Sequence, residues 1–193
     1  MGLSRNKSSK FCHRLGSSQT NMILQEKVSL LDRDSEDIRA IAGVTWEEYE
    51  AFLAKVGDRI LCRFAYLDGD LEIMSPSRRH ESRKTFIGNL LERYFLETDT
   101  PYFPIGSTTL KDQGKSAGVE PDESYCVGED KEVPDLAIEV VVTSGNIDRL
   151  ELYGRLGIRE VWFWRKDELS VYVLQETGSY EKCDSSQILP DLD

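Results

Sequence analysis

From residue 44 onward the chain switches between two apolar periods. "VTWEEYEAFLAKVG" carries apolar residues at helical spacing, with Thr45 and Glu48 at capping-box distance and Gly57 at its end, which predicts a short helix. "RILCRFAYLDGDLEIMSP" holds two alternating runs joined at Asp68-Gly69, the pattern of a β-hairpin. A helix of about four or five turns is expected after Pro76, over roughly Arg78 to Leu96. Strands are predicted over Tyr102 to Leu110, Val119 to Val127 and Leu136 to Val142. "NIDRLELYGRLG" reads as the second main helix, ended by Gly157. "REVWFWRKDELSVYVLQ" supplies a last pair of strands, with Trp162 and Trp164 alternating onto a core face. Strands first, then strand, helix and strand, predict an α/β fold in which helices flank a mixed β-sheet.

Acids interrupt this pattern where they should cost most. In "EVPDLAIEVVVTSG" an almost unbroken apolar run contains Asp135 and Glu139, four residues apart and so on one side of a strand. An unpaired buried carboxylate costs several kcal/mol or takes up a proton. A further acid, Asp122, lies in the preceding predicted strand, 17 residues before Glu139. If the two strands pair, Asp122 and Glu139 meet, and a divalent cation relieves their repulsion. Hard oxygen ligands of this kind suit Mg²⁺, with Mn²⁺ as the alternative, and favour hydrolysis of a phosphodiester. Asp122 and Asp135 each follow a proline, so either alone also suits a strand-end cap. Glu139, inside the apolar run, does not.

Cations on the two longer helices point the same way. At 100° per residue, Asp148, Glu151, Arg155 and Arg159 form the polar face of the later helix. Arg149 falls among Leu152, Tyr153 and Leu156, where a guanidinium needs a carboxylate or phosphate partner. On the earlier helix His80, Arg83 and Lys84 share a stripe with Ile87, Leu90, Leu91 and Tyr94. Arg83 reads as a snorkelling residue at the core edge. His80, Lys84 and Arg149 read as cations facing the acids.

Composition bounds these readings. The chain has 193 residues, 39% hydrophobic and 31% charged, which suits one globular domain of ordinary size. Four cysteines without a CxxC pair suit a reducing cytoplasm, and no apolar run approaches the ~20 residues that span a bilayer. Residues 1–21 carry four basic residues and no acid, so residues 22–193 hold a net charge of −15 against −11 for the whole chain. We read residues 1–43 as a loosely attached arm and 44–193 as the domain; Met22 is an alternative start. The acidic balance weakens the case for duplex binding, which draws on basic residues. A local patch of Arg78, Arg79, Arg83, Lys84, Lys111 and Lys115 works against that balance.

The motifs "GDLEIMSPSRRHE", "PDESY", "VPDLAIEVVVTSG" and "IDRLELYGRLGIREVWFW", in this order, resemble the Uma-two family of the PD-(D/E)XK nuclease superfamily. The resemblance runs from about Thr45 to Leu192 and implies a restriction-endonuclease-like core, a divalent metal and DNA phosphodiester cleavage. It carries over Asp122 and Glu139 as metal-binding acids, and His80 and Glu81 as the His-Glu pair that opens the first long helix. The chain departs from the superfamily where a lysine is expected two residues after the second acid, at Val141. In similar proteins the lysine stands on the following helix, at the position of Arg149; an arginine keeps the charge but cannot transfer a proton. "ILPDLD" also stops where relatives continue into a terminal helix. The expected catalytic set is therefore Asp122, Glu139, Arg149, Lys84, His80 and Glu81, with Asp122, Glu139 and Asp135 on the metal. The expectation is a Mg²⁺-dependent DNA endonuclease, with a catalytically silent binding module of the same fold as the rival. A homodimer is the candidate assembly.

Overall fold

The computed structural model describes residues 36–57 and 62–192. Most of the arm expected from the sequence, residues 1–35, lies outside these described residues. The element order is β1 (Asp37–Ala42), α1 (Trp46–Val56), β2 (Arg63–Leu67), β3 (Asp70–Ser75), α2 (Arg78–Glu97), β4 (Tyr102–Pro104), β5 (Leu110–Asp112), β6 (Ala117–Val119) and β7 (Glu123–Val127). It continues with β8 (Leu136–Val141), α3 (Arg149–Leu156), β9 (Glu160–Arg165), β10 (Glu168–Leu174) and β11 (Tyr180–Cys183).

The strands form two sheets, consistent with a restriction-endonuclease-like α/β fold. One has the order β1-β3-β2-β6-β5, the other β11-β10-β9-β8-β7-β4. All pairings are antiparallel except β8 with β9, the pair bridged by α3. A parallel pair needs such a crossover. Local chemistry sets the elements. Thr45 and Glu48 cap α1 reciprocally, Ser77 caps α2, and Asp148 caps α3 through the backbone N–H groups of Leu150 and Glu151. The β2–β3 turn places Asp68 at φ 49° and Gly69 at φ 93°, the left-handed pair that a two-residue hairpin demands.

Side-chain alternation along β8 distributes the core. Leu136, Ile138 and Val140 pack with Ile87, Leu91 and Phe95 of α2. Ala137 turns the other way and packs with Leu152, Tyr153 and Leu156 of α3, and with Ala65, Ala117 and Val119 of the first sheet. Thus α3 lies between the sheets, while α1 covers the first sheet through Tyr49 and Phe52 against Phe64, Leu71 and Ile73.

Three expectations change. The predicted strands Tyr102 to Leu110 and Val119 to Val127 are each interrupted, the second by Glu120-Pro121-Asp122, because proline has no N–H for the ladder. Leu90, expected on the inward face of α2, is exposed. Asp37–Ala42, expected as part of the arm, is the edge strand β1 on β3, with Ile38 opposite Met74. No helix among the described residues is long and apolar enough to cross a membrane.

Candidate functional site

The β7–β8 register pairs Glu123 with Ile138, and one further step sets Asp122 opposite Glu139. Asp122 is buried and its Oδ2 accepts the Val140 N–H at 2.7 Å, while Oδ1 is buried without a hydrogen-bond partner. Glu139 is 8% exposed and accepts a 2.5 Å hydrogen bond from the Tyr153 hydroxyl. Burial and then the Asp122 charge push the Glu139 carboxyl up to about 7, against the pull of Arg149, Tyr153 and His80. Burial, followed by the Glu139 charge, raises the Tyr153 phenol well above its ordinary range.

His80 supplies the countercharge. It is fully buried in the first turn of α2, and its Nε2 lies 3.2 Å from Asp122 Oδ2, close enough for an ion pair. Burial alone would lower its pKa; contact with Asp122 and Glu81 and the charges of Asp122 and Glu36 raise it to about 10. Glu81 lies beside it, with Oε1 3.8 Å from His80 Nδ1 and 3.8 Å from Arg63 Nη2. Lys84 points elsewhere, toward Glu123 at 3.6 Å and Glu81 at 3.9 Å.

Arg149 has a different partner from the one expected. Its Nη2 lies 3.2 Å from Oε2 of Glu72, although the guanidinium also acts electrostatically on Glu139. Glu72 is 1% exposed on β3, and its Oε1 accepts the N–H groups of Asn146 and Ile147. The chain passes so close here that a Cβ on Gly145 would collide with the Glu72 carboxylate. A side chain at residue 145 would therefore have to displace the Glu72 carboxylate, a constraint of space rather than of a positive φ.

Asp135, the third expected metal ligand, is held away from this group. It lies just before β8, and its Oδ2 accepts from the Val127 N–H at 2.8 Å and from Lys131 Nζ at 2.7 Å. Two glutamates join the site that the sequence did not single out. Glu72 alternates with the core residues Leu71 and Ile73 and so reads as solvent-facing; the 143–147 loop buries it. Glu36 stood in the expected arm, where no periodicity marks it. Its Oε1 accepts the Thr143 N–H at 2.6 Å, its Oε2 is buried without a partner, and burial raises its carboxyl pKa.

Glu36, Glu139 and Arg149 line a cleft of about 370 Å³, and Asp122 lies behind Glu139. Its floor is one face of the second sheet, formed by Glu139, Val141, Phe163, Arg165, Ser170 and Tyr172. Glu36, Ile38, Met74 and the loop from Thr143 to Leu150 wall it. Among the described residues no three His, Cys, Asp or Glu side chains are gathered closely enough to hold a metal by themselves. The pair nevertheless suits a hard cation: Asp122 Oδ1 has no partner, and burial, followed by the Asp122 charge, raises the Glu139 pKa. Mg²⁺ commonly binds through one or two carboxylates and completes its shell with water and substrate oxygens.

A search of curated proteins gives no match. The model of the Uma2 family, described as "Putative restriction endonuclease", matches residues 46–191. That span contains both sheets apart from β1, and every expected site residue, from His80 to Arg149. The chain therefore belongs to the Uma2 family.

Proposed function

We propose that the protein is a metal-dependent endonuclease that hydrolyses DNA phosphodiester bonds in the cleft above Glu139. The observation that carries this reading is the pairing of Asp122, with a buried unpartnered oxygen, opposite a raised Glu139 at the base of that cleft. Asp122 and Glu139 are the residues that would hold Mg²⁺ or Mn²⁺, which when bound activates water and neutralises phosphate charge. Asp135 belongs to the strand end and not to this pair.

The chain's own residues divide the remaining work. Arg149, oriented by Glu72, has a second guanidinium nitrogen, Nη1, that is buried without a hydrogen-bond partner and would be left for a phosphate that displaces the cover of the cleft. Tyr153 donates to Glu139 Oε1 and fixes the carboxylate rotamer. His80 offsets the negative charge of Asp122 and holds it in place for a cation. Glu81 steadies His80 from the other side. Cleavage of plasmid and linear DNA with Mg²⁺, Mn²⁺ or EDTA tests the reading. Metal-dependent products that vanish in Glu139→Gln are expected, and equal cleavage by wild type and variant would remove the site.

One observation favours a second reading, a catalytically silent module. The titratable lysine is absent at Val141, and the arginine that replaces it on α3 is already neutralised by Glu72. In that case metal-dependent cleavage is absent while the fold and its cleft persist.

A further inference from the structure

We propose that the cleft takes a single strand of nucleic acid, with Tyr172 as the platform for a base and Arg165 as the contact for an adjacent phosphate. The inference rests on the phosphodiesterase reading and names the form of its substrate. Three observations carry it.

The first is the sheet register. In the parallel β8–β9 pair Glu139 stands beside Phe163 and Val141 beside Arg165. In the antiparallel β9–β10 pair Ser170 stands opposite Phe163, and Tyr172 opposite Val161. Residues paired in this way share a face, so the candidate carboxylate, the aromatic rings and Arg165 all rise from one surface. Tyr172 and Phe163 meet edge to face with centroids 5.6 Å apart, which fixes the Tyr172 ring against the floor. A ring held in this manner accepts any base, because every base has a π-face.

The second is the contrast between the two arginines of the cleft. Arg149 is tied to Glu72, whereas Arg165 is exposed at the end of β9 and no described residue pairs with it. A free guanidinium beside the apolar Val141 is available to a phosphate oxygen.

The third is size and charge. Glu139 is 8% exposed at the base of a cleft of about 370 Å³. A paired base is held inside its duplex and cannot enter the cleft beside Glu139, whereas the unpaired bases of a single strand can. A net charge of −11 also disfavours the phosphate-dense duplex more than a single strand.

The test is fluorescence anisotropy in EDTA with one dye-labelled oligodeoxynucleotide, alone or annealed to its complement. The single strand should bind about tenfold more tightly than the duplex. Arg165→Ala should lower the slope of log affinity against log salt by about 0.7, the contribution of one phosphate contact on a single strand. Tyr172→Ala should weaken single-strand binding about tenfold, and Tyr172→Phe, which keeps the ring, should restore it. Melting curves on all three variants separate a binding defect from a folding one. Tighter binding of the duplex, or wild-type affinity and salt slope in both alanine variants, would overturn the inference alone. Failure of the wild type to bind either form would overturn it together with the nuclease reading.

Discussion

Glu139 and Glu160 are buried glutamates on neighbouring parallel strands, yet their surroundings are opposite. Glu160 is fully buried and accepts from the Ser186 hydroxyl at 3.0 Å, the Gln187 N–H at 3.3 Å and the Ile188 N–H at 3.2 Å. It fastens the C-terminal segment, whose Leu189 enters the core, to the strand. Glu139 has one hydroxyl donor and a like charge opposite. Burial of an acid is therefore not the mark of chemistry here. Under the proposed function the difference lies in valence left unfilled around Glu139, at Asp122 Oδ1, Glu36 Oε2 and Arg149 Nη1, although Tyr49 Oη and Trp162 Nε1 in the core are also buried without a partner. On that proposal a structural carboxylate uses its oxygens within the fold, and one that binds a ligand keeps some of them for it; a buried polar atom without a partner needs such an explanation.

The sharpest test of the contrast is at Glu160. Glu160→Ala removes the acceptor for three donors at once, and each donor left buried costs about 1–3 kcal/mol. We expect a loss of about 4 kcal/mol in urea unfolding, with Mn²⁺ affinity measured by calorimetry unchanged. A small loss would show that solvent satisfies the C-terminal turn as well as Glu160 does.

Glu139→Gln should move stability the other way. Its folded pKa of about 7 lies above the ordinary 4.5, so the folded protein holds this proton more tightly than the unfolded chain. The penalty for ionising it is absent below about pH 4.5, grows up to about 7, and is complete above that. In EDTA at pH 8 the glutamine variant should be more stable by on the order of 3 kcal/mol, and the gain should disappear near pH 4.5. His80 acts in another window: its stabilisation is complete below about 6.5 and is lost as pH rises through about 10. Mn²⁺ should stabilise the wild type but not the glutamine variant. Urea unfolding across this pH range checks both signs, and a variant no more stable than wild type at pH 8 would contradict the strain assigned to Glu139.

Much of this arrangement was legible in the sequence because it rests on local rules. The capping box of Thr45 and Glu48, the Asp68-Gly69 turn and the Gly157 terminus each act within a few residues. The pairing of Asp122 with Glu139 was legible for a related reason: an acid inside an apolar strand is costly and so informative. Glu72 and Glu36 were not. One occupies the polar phase of an alternating hairpin, and the other precedes a strand that was read as arm. Only contacts with Thr143, Asn146 and Ile147, more than 70 residues away, bring them to the loop that walls the cleft. Those same contacts decided the partner of Arg149, which helical phase could turn inward but could not assign.

Arg149→Ala comes next in size. Glu72 would keep the N–H groups of Asn146 and Ile147, so we expect a loss of about 1–2 kcal/mol rather than the cost of a fully stranded charge. The effect on a nuclease would be far larger, because the clamp on phosphate charge is gone: Arg149→Ala should abolish cleavage, and Arg149→Lys should retain it. Cleavage assays and unfolding curves on the two variants separate a clamp from a structural counter-ion. An alanine variant with unchanged activity would remove Arg149 from the mechanism.

Asp135 supplies the smallest effect and the finest division between the two kinds of acid. It shares the side of the strand with Glu139, which made both of them candidate ligands in the sequence. In the structure it resembles Glu160, since its oxygens are taken by the Val127 N–H and by Lys131. Lys131 is about one third exposed, so solvent weakens that ion pair, and the backbone bond accounts for most of what Asp135 contributes. Asp135→Asn keeps an acceptor for the Val127 N–H and gives up the charge. It should cost about 1 kcal/mol or less and leave Mn²⁺ affinity at the wild-type value. Calorimetric titration of Mn²⁺ into Asp135→Asn and Glu139→Gln, side by side, decides the matter. If the two substitutions weaken the metal equally, Asp135 belongs with Glu139, and a filled hydrogen-bond valence no longer separates structural acids from working ones in this fold.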